Sequence, residues 1–195
     1  MIPLLITIGR QYGAGGREVA EILAKELQLP LYDRKLVAIV AEHLQKGCKL
    51  EDVNLSYSNL YGDESPYEHI FDNVVQNDDM FMFRPQSDAI KKLAEYNKDG
   101  IFVGRCANFI LNEHKAYNFF IVADDEFRAT RGQLVYHKSL DELKKEDEKR
   151  ASYYNYYTGS KWGEAKDYDL IINVSRTGIE GAVKIIKNYI DNNQK

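Results

Sequence analysis

The stretch LITIGRQYGAGGREVAEIL, residues 5–23, constrains this chain more than any other part of it. An apolar, β-branched run passes through a turn holding Gly9, Gly13, Gly15 and Gly16 into a segment with apolar residues at helical spacing: Val19, Ile22, Leu23 and Leu27. Strand, glycine-rich turn, helix is the sequence of elements that presents a helix N-terminus to an anion. Glycines permit positive φ and close backbone approach, and the first-turn N–H groups have no intrahelical acceptor. Arg10 and Arg17 flank the turn with positive charge. The pattern favours a phosphate-binding loop, Gly9 to Gly16, over a turn whose glycines serve packing alone.

The rest of the chain is compatible with one α/β core. Short β-branched or aromatic runs recur at Leu4–Ile8, Leu29–Tyr32, Ile101–Val103, Asn118–Val122 and Leu170–Asn173. Helical spacing predicts helices over Lys35–Gln45, Asp88–Tyr96, Asp125–His137, Leu140–Tyr157 and Ile179–Asn192, the last with Thr177 as its N-cap. Five strands alternating with helices predict a parallel sheet covered on both faces. Residues 46–85 break the alternation and read as an inserted, mainly helical flap, docked on the core by Tyr67, Ile70, Phe71, Val74 and Val75 rather than presenting them as a binding surface. At 195 residues the expectation is a single domain, 1–195.

Composition narrows the function classes. A net charge of −4 disfavours a sequence-independent binder of nucleic acid polymers, which needs a basic face. Cys48 and Cys106 are too few and too distant for a disulfide framework or a zinc site. His43, His69, His114 and His137 have no i,i+4 partners, so no metal site is expected from protein ligands. The apolar start is too short for a secretion signal and no stretch is long enough to span a bilayer, which predicts a cytoplasmic protein.

Together with YDRKLV at 32–37, VGR at 103–105, DDEFRATR at 124–131 and DEKR at 147–150, the loop resembles the cytidylate kinase-like branch of the P-loop nucleoside monophosphate kinases. The motifs occur in the same order over nearly the whole chain. The resemblance implies a three-layer α/β/α fold with strand order 2-3-1-4-5 and a lid over 138–166. It implies ATP phosphates on the loop, with Gly13, Ala14, Gly15, Gly16, Arg17, Arg128 and Arg131 binding the nucleotide. A phosphorylated acceptor, most simply CMP or dCMP, lies across a cleft.

Two departures stand at chemically important places. Counted against G-x-x-x-x-G-K-[ST], Gly15 is the last motif glycine, Gly16 fills the lysine position and Arg17 the hydroxyl position. Arg10 or Arg17 can replace the missing charge, because a guanidinium grips phosphate oxygens in a fork. The strand at 101–103 runs into Val-Gly-Arg where the resembling kinases carry Val-Asp-Gly-Arg, so magnesium is expected chiefly through nucleotide phosphates and water. Asp33 is the nearest remaining acidic candidate.

Phosphoryl transfer is mostly charge stabilisation, so several arginines should meet in one cleft. Arg10, Arg17 and Arg131 are the catalytic candidates. Arg128, one turn before Arg131, packs on adenine in the resembling kinases. Asp33, Arg34, Arg105, Asp147 and Arg150 are the acceptor-side candidates, the last two forming the D-x-x-R of the lid. Tyr153, Tyr154, Tyr156, Tyr157 and Trp162 depart from those enzymes and read first as core packing, second as a surface for a base. Asn173 and Ser175 either line the adenine edge or shape a turn. Two other functions stay open: a nucleotide-binding regulator without turnover, and a kinase for a non-nucleotide small molecule.

Overall fold

The computed structural model describes residues 4–53 and 83–193. The flap residues Tyr67, Ile70, Phe71, Val74 and Val75 lie outside them. β1 (Leu5–Arg10) is the central strand of a five-stranded sheet whose other members are β2 (Leu31–Tyr32), β3 (Gly100–Val103), β4 (Tyr117–Val122) and β5 (Leu170–Asn173). All the pairings are parallel and the order is β2-β3-β1-β4-β5, as expected. Ile6 is aligned with Ile101 on one side and with Tyr117 on the other, which fixes the register of the centre.

Period-two alternation decides which residues face which layer. Ile6, Ile8, Ile101, Val103, Phe119 and Ile121 join Val19, Leu23, Val183 and Ile186, so α1 (Gly16–Leu27) and α7 (Val174–Asn192) cover one face. Leu5 and Phe102 point the other way, onto Leu36, Ile39, Ile90, Leu93 and Tyr154. These come from α2 (Arg34–Gln45), α3 (Phe83–Asn97) and α6 (Leu140–Thr158), giving a three-layer α/β/α arrangement. Both faces are apolar because helices cover both.

Several boundaries shift for identifiable reasons. β1 runs two residues further than its apolar stretch, because Gly9 and Arg10 pair with Phe120 and Ile121 of β4. Gly9 is there for packing: a Cβ on it would meet the Phe120 ring at 2.5 Å. α3 starts five residues earlier than its periodicity suggested, with Pro85 in the first turn, where its missing N–H has no helical acceptor to lose. α5 (Asp125–Arg131) is shorter than expected, giving way to a π-helical turn over Gly132–Tyr136 that His137 ends at φ 53°. α7 begins at Val174, with the Asn173 side chain accepting from Ser175 N, and breaks at Gly178. Thr177 is therefore no N-cap; its hydroxyl donates to the Gly178 carbonyl. α4 (Ala107–Ile110) is a single turn after β3. Among the described residues no helix is long and apolar enough to cross a membrane.

Candidate active site

The carboxyl ends of β1, β3 and β4 open toward one edge of the sheet, where ligands of open α/β sheets collect. The glycine-rich loop leaves β1 there. Gly13 and Gly15 adopt φ of 79° and 78°, the left-handed region that other residues enter only with strain. The N-cap residue of α1, Gly15, has no side chain to accept from the first-turn N–H groups, so among the described residues these groups face the loop uncapped. The loop has an anion site's backbone and an uncapped helix behind it.

A buried ion pair braces the loop from outside. The Arg128 guanidinium, in a residue only 3% exposed, donates through Nη2 to Asp147 Oδ2 at 2.5 Å and through Nε to the Tyr12 carbonyl at 2.9 Å. Asp147 Oδ1 accepts from Tyr12 N at 2.7 Å. The two side chains thus take both ends of the Tyr12 residue's backbone. Arg128, expected to pack on adenine, and Asp147, expected on the acceptor side, are thus paired with each other and with the Tyr12 backbone. Helical spacing placed Arg128 and Arg131 on one face, but it could not report that Asp147 of a later helix folds onto the first of them.

The remaining loop cations divide. Arg17 pairs through Nε with Glu21 at 2.9 Å and through Nη2 with Asp33 at 3.4 Å, on the flank of α1. Asp33 is itself occupied as the N-cap of α2, accepting from Leu36 N. Arg131 reaches back to the Glu18 carboxylate, on the first turn of α1. The other oxygen of Glu18 is buried with no hydrogen-bond partner, and it lies 3.6 Å from where a Cβ on Gly15 would be. An acidic group beside the loop was not among the expected site residues; only its position three residues past Gly15 signalled it. No group of three or more metal-ligating side chains occurs among the described residues.

On the other side of the loop, between the ends of β1 and β3 and the inner face of α6, lies a cavity of about 740 Å³. Arg10, Arg34, Arg105 and Arg150 all line it, brought together from four separate elements or turns. Arg150 donates through Nη1 to the Arg10 carbonyl at 3.3 Å and stacks over the Tyr12 ring at 4.7 Å. Burial, then the charges of Arg150 and Arg105, press the Arg10 pKa down to about 9, with Asp33 acting in opposition. Arg150 is lowered as well, burial again first. At neutral pH both stay cationic, so positive charge is crowded into a half-buried space that an anion would relieve.

Backbone strain supports the same spot. Gly104, Arg105 and Cys106 take φ of 74°, 54° and 56°, three consecutive left-handed residues between β3 and α4. For non-glycine residues this costs on the order of 1–2 kcal/mol each. The Arg105 guanidinium lies 5.6 Å from the centroid of the Tyr153 ring. The tyrosine-rich tail of α6 divides between both readings offered for it. Tyr154 is core, its hydroxyl accepting from Asn108, whereas Tyr153, Tyr156, Tyr157 and Trp162 line the cavity along with it. Tyr157 stacks on Phe83 with ring centroids 4.0 Å apart. Asn173 and Ser175 bond to Asp124, joining the end of β5 to that of β4.

Comparison with known proteins agrees with this geometry. The model of the cytidylate kinase-like family matches residues 5–176. A cytidylate kinase of Methanosphaera stadtmanae is 26% identical, over 97% of this chain and 99% of its own. A solved, uncharacterized protein from Eubacterium ventriosum superimposes with a TM-score of 0.72 at 27% identity, covering 97% of this chain and 99% of its own. A shikimate kinase from Bacteroides thetaiotaomicron shares the fold, with a TM-score of 0.56 at 14% identity, covering 96% of this chain and 98% of its own.

Proposed function

The chain belongs to the cytidylate kinase-like family, and from that premise we propose that it is an ATP-dependent phosphotransferase acting on a nucleoside monophosphate, CMP or dCMP first. The observation that carries the reading is the convergence of Arg10, Arg34, Arg105 and Arg150 on one cavity beside an uncapped, glycine-rich helix N-terminus. Two anion sites side by side are what transfer between a donor and an acceptor phosphate requires.

In this reading Gly13, Ala14, Gly15 and Gly16 offer backbone N–H groups to the donor phosphates, with Arg131 at the loop's outer edge. The loop backbone suits that role, with Gly13 at φ 79°, a conformation that other residues adopt only with strain. Magnesium suits the donor phosphates and water better than protein ligands, since Arg17 stands in the hydroxyl position and Asp33 is engaged with α2 and Arg17. Bound there, it would neutralise charge on the donor phosphates. Arg34, Arg105 and Arg150 orient the acceptor phosphate so that its oxygen attacks in line as the bond to the leaving diphosphate breaks. Tyr153 and Tyr157 supply flat apolar area for a base. Residues 138–166 form a lid within a single domain.

Purified protein with ATP, magnesium and a panel of monophosphates tests this directly. ADP formation that depends on CMP or dCMP supports it. Turnover only with a non-nucleotide acceptor moves the substrate assignment, and ATP binding without turnover on any acceptor identifies a nucleotide-binding regulator instead.

A further inference from the structure

In G-x-x-x-x-G-K-[ST] the first glycine lets the chain turn tightly and the lysine reaches the β- and γ-phosphates. With Gly15 as the second motif glycine, Arg10 stands in the first glycine's slot and Gly16 in the lysine's. The two positions are in contact. A Cβ on Gly16 would lie 2.5 Å from Arg10 Cβ and 2.9 Å from its Cγ, so the stem of Arg10 fills the ground from which a lysine at 16 would grow. Real Cβ atoms do not approach that closely, and neither neighbour is the flexible end of a side chain.

The far end of the same side chain is equally placed. A Cβ on Gly104 would come 2.0 Å from Arg10 Nη1, so the guanidinium lies against the end of β3. It crosses from the phosphate loop to the mouth of the acceptor cavity. Among the described residues its charged neighbours are Arg150, Arg105 and Arg17 against one carboxylate, Asp33, which already caps α2 and pairs with Arg17. An arginine retained only for structure would sit among acceptors. This one sits among cations, between two glycines that leave it room.

We infer that Arg10 and Gly16 are a reciprocal exchange of the phosphate loop's glycine and lysine. The cation that serves the transferred phosphoryl group is carried on the end of β1 and works between the donor loop and Arg105 and Arg150. The inference rests on the kinase reading above and adds to it which residue replaces the lysine: Arg10, with Arg17 left to brace α1 against Asp33.

The test is a two-by-two set, Gly16→Lys, Arg10→Gly and R10G/G16K, with Arg10→Met to remove charge while keeping stem volume. Thermal melting and calorimetric titration with ATP and with inorganic tripolyphosphate are read on each full-length protein. Gly16→Lys should melt roughly 5 °C lower in the wild-type background, as overpacking does in a chain of this size, and should lose less than half as much in the Arg10→Gly background. Arg10→Met should weaken ATP binding about tenfold or more, in line with the loss of a charge-assisted contact, and R10G/G16K should recover most of the affinity lost in Arg10→Gly. Equal melting shifts in both backgrounds, or undiminished ATP binding by Arg10→Met, overturn the exchange alone. A wild-type protein that binds neither ATP nor tripolyphosphate overturns the kinase reading and the exchange with it.

Discussion

Asp147 and Arg128 grip the same backbone residue from opposite sides: the carboxylate takes the Tyr12 N–H and the guanidinium takes the Tyr12 carbonyl, while the two close on each other at 2.5 Å. The phosphate loop is thereby fixed by α5 and α6, and its shape depends on a buried charge pair.

Breaking one partner should cost more than removing both. Arg128→Met takes its 2.5 Å cation from Asp147, whose side chain is 12% exposed, and leaves it only Arg150 Nη1 at 3.7 Å, a loss of about 3 kcal/mol. Replacing both, as Arg128→Met with Asp147→Leu, should recover the part due to the stranded charge but not the part due to the Tyr12 N–H and carbonyl, which both lose their side-chain partners. Urea unfolding of the two variants measures the difference. A single-variant cost under about 1 kcal/mol would show that solvent already screens the pair.

A second prediction opposes stability to binding. Arg105 combines a left-handed backbone with membership of a crowded cationic cluster. Arg105→Gly removes both, and the protein should melt roughly 2–5 °C higher, the gain typical of relieving such a residue in a domain of this size. Affinity for the acceptor monophosphate should fall about tenfold or more in the same variant. A melting temperature that drops along with affinity would assign Arg105 to the scaffold.

How far the sequence led is visible in these residues. The strands and the flanking helices were legible because apolar runs and periodicity are local, and the strand order came from the family resemblance; the ends of β1 and α5 were not legible, because pairing with β4 and the turn at Gly132 depend on tertiary partners. The loop was readable from glycine spacing. Motif order singled out Arg10, Arg34, Arg105 and Arg150, and the structure brings all four to one cavity. The pairing of Arg128 with Asp147 against the Tyr12 backbone was not legible. A motif carries the identity of a side chain but not its direction, and the direction here is set by packing of α6 on the loop. Glu18 was missed because an acidic residue in the first turn of a helix looks like ordinary dipole compensation.

Alkaline pH should destabilise the fold from the acceptor side. Burial pushes both the Cys106 thiol and the Tyr153 phenol up to about 12, from ordinary values of 9.0 and 10.0. Above those ordinary values the unfolded chain sheds its protons while the folded chain keeps them. At these two groups the folded state then binds more protons, and each lowers stability by up to about 1.4 kcal/mol per pH unit as pH rises through roughly 9 to 12, whereas Arg10, held down to about 9, acts against them over the same range. Cys106→Ala should flatten the first part of that decline, near pH 9 to 10, in unfolding free energies measured by urea titration. At pH 8 a thiol reagent should modify the partly exposed Cys48 well before the buried Cys106. Faster labelling of Cys106 would contradict the burial argument.

Glu18 sets the last prediction. Its second oxygen is buried without a hydrogen-bond partner near Gly15, and its first holds Arg131, so the acidic residue both repels incoming phosphate and occupies a cation that phosphate would attract. The two effects have the same sign. At a separation near 6 Å and an effective dielectric of about 20, one unit charge acts on another with roughly 3 kcal/mol, and solvent screening reduces this at the loop's open edge. Glu18→Gln should therefore tighten tripolyphosphate binding about three- to tenfold in magnesium-free buffer, with the gain shrinking as salt is raised. Calorimetric titration at two ionic strengths measures both. Weaker binding in the variant would mean that Glu18 holds Arg131 in its phosphate-binding position, and that this ordering outweighs the repulsion.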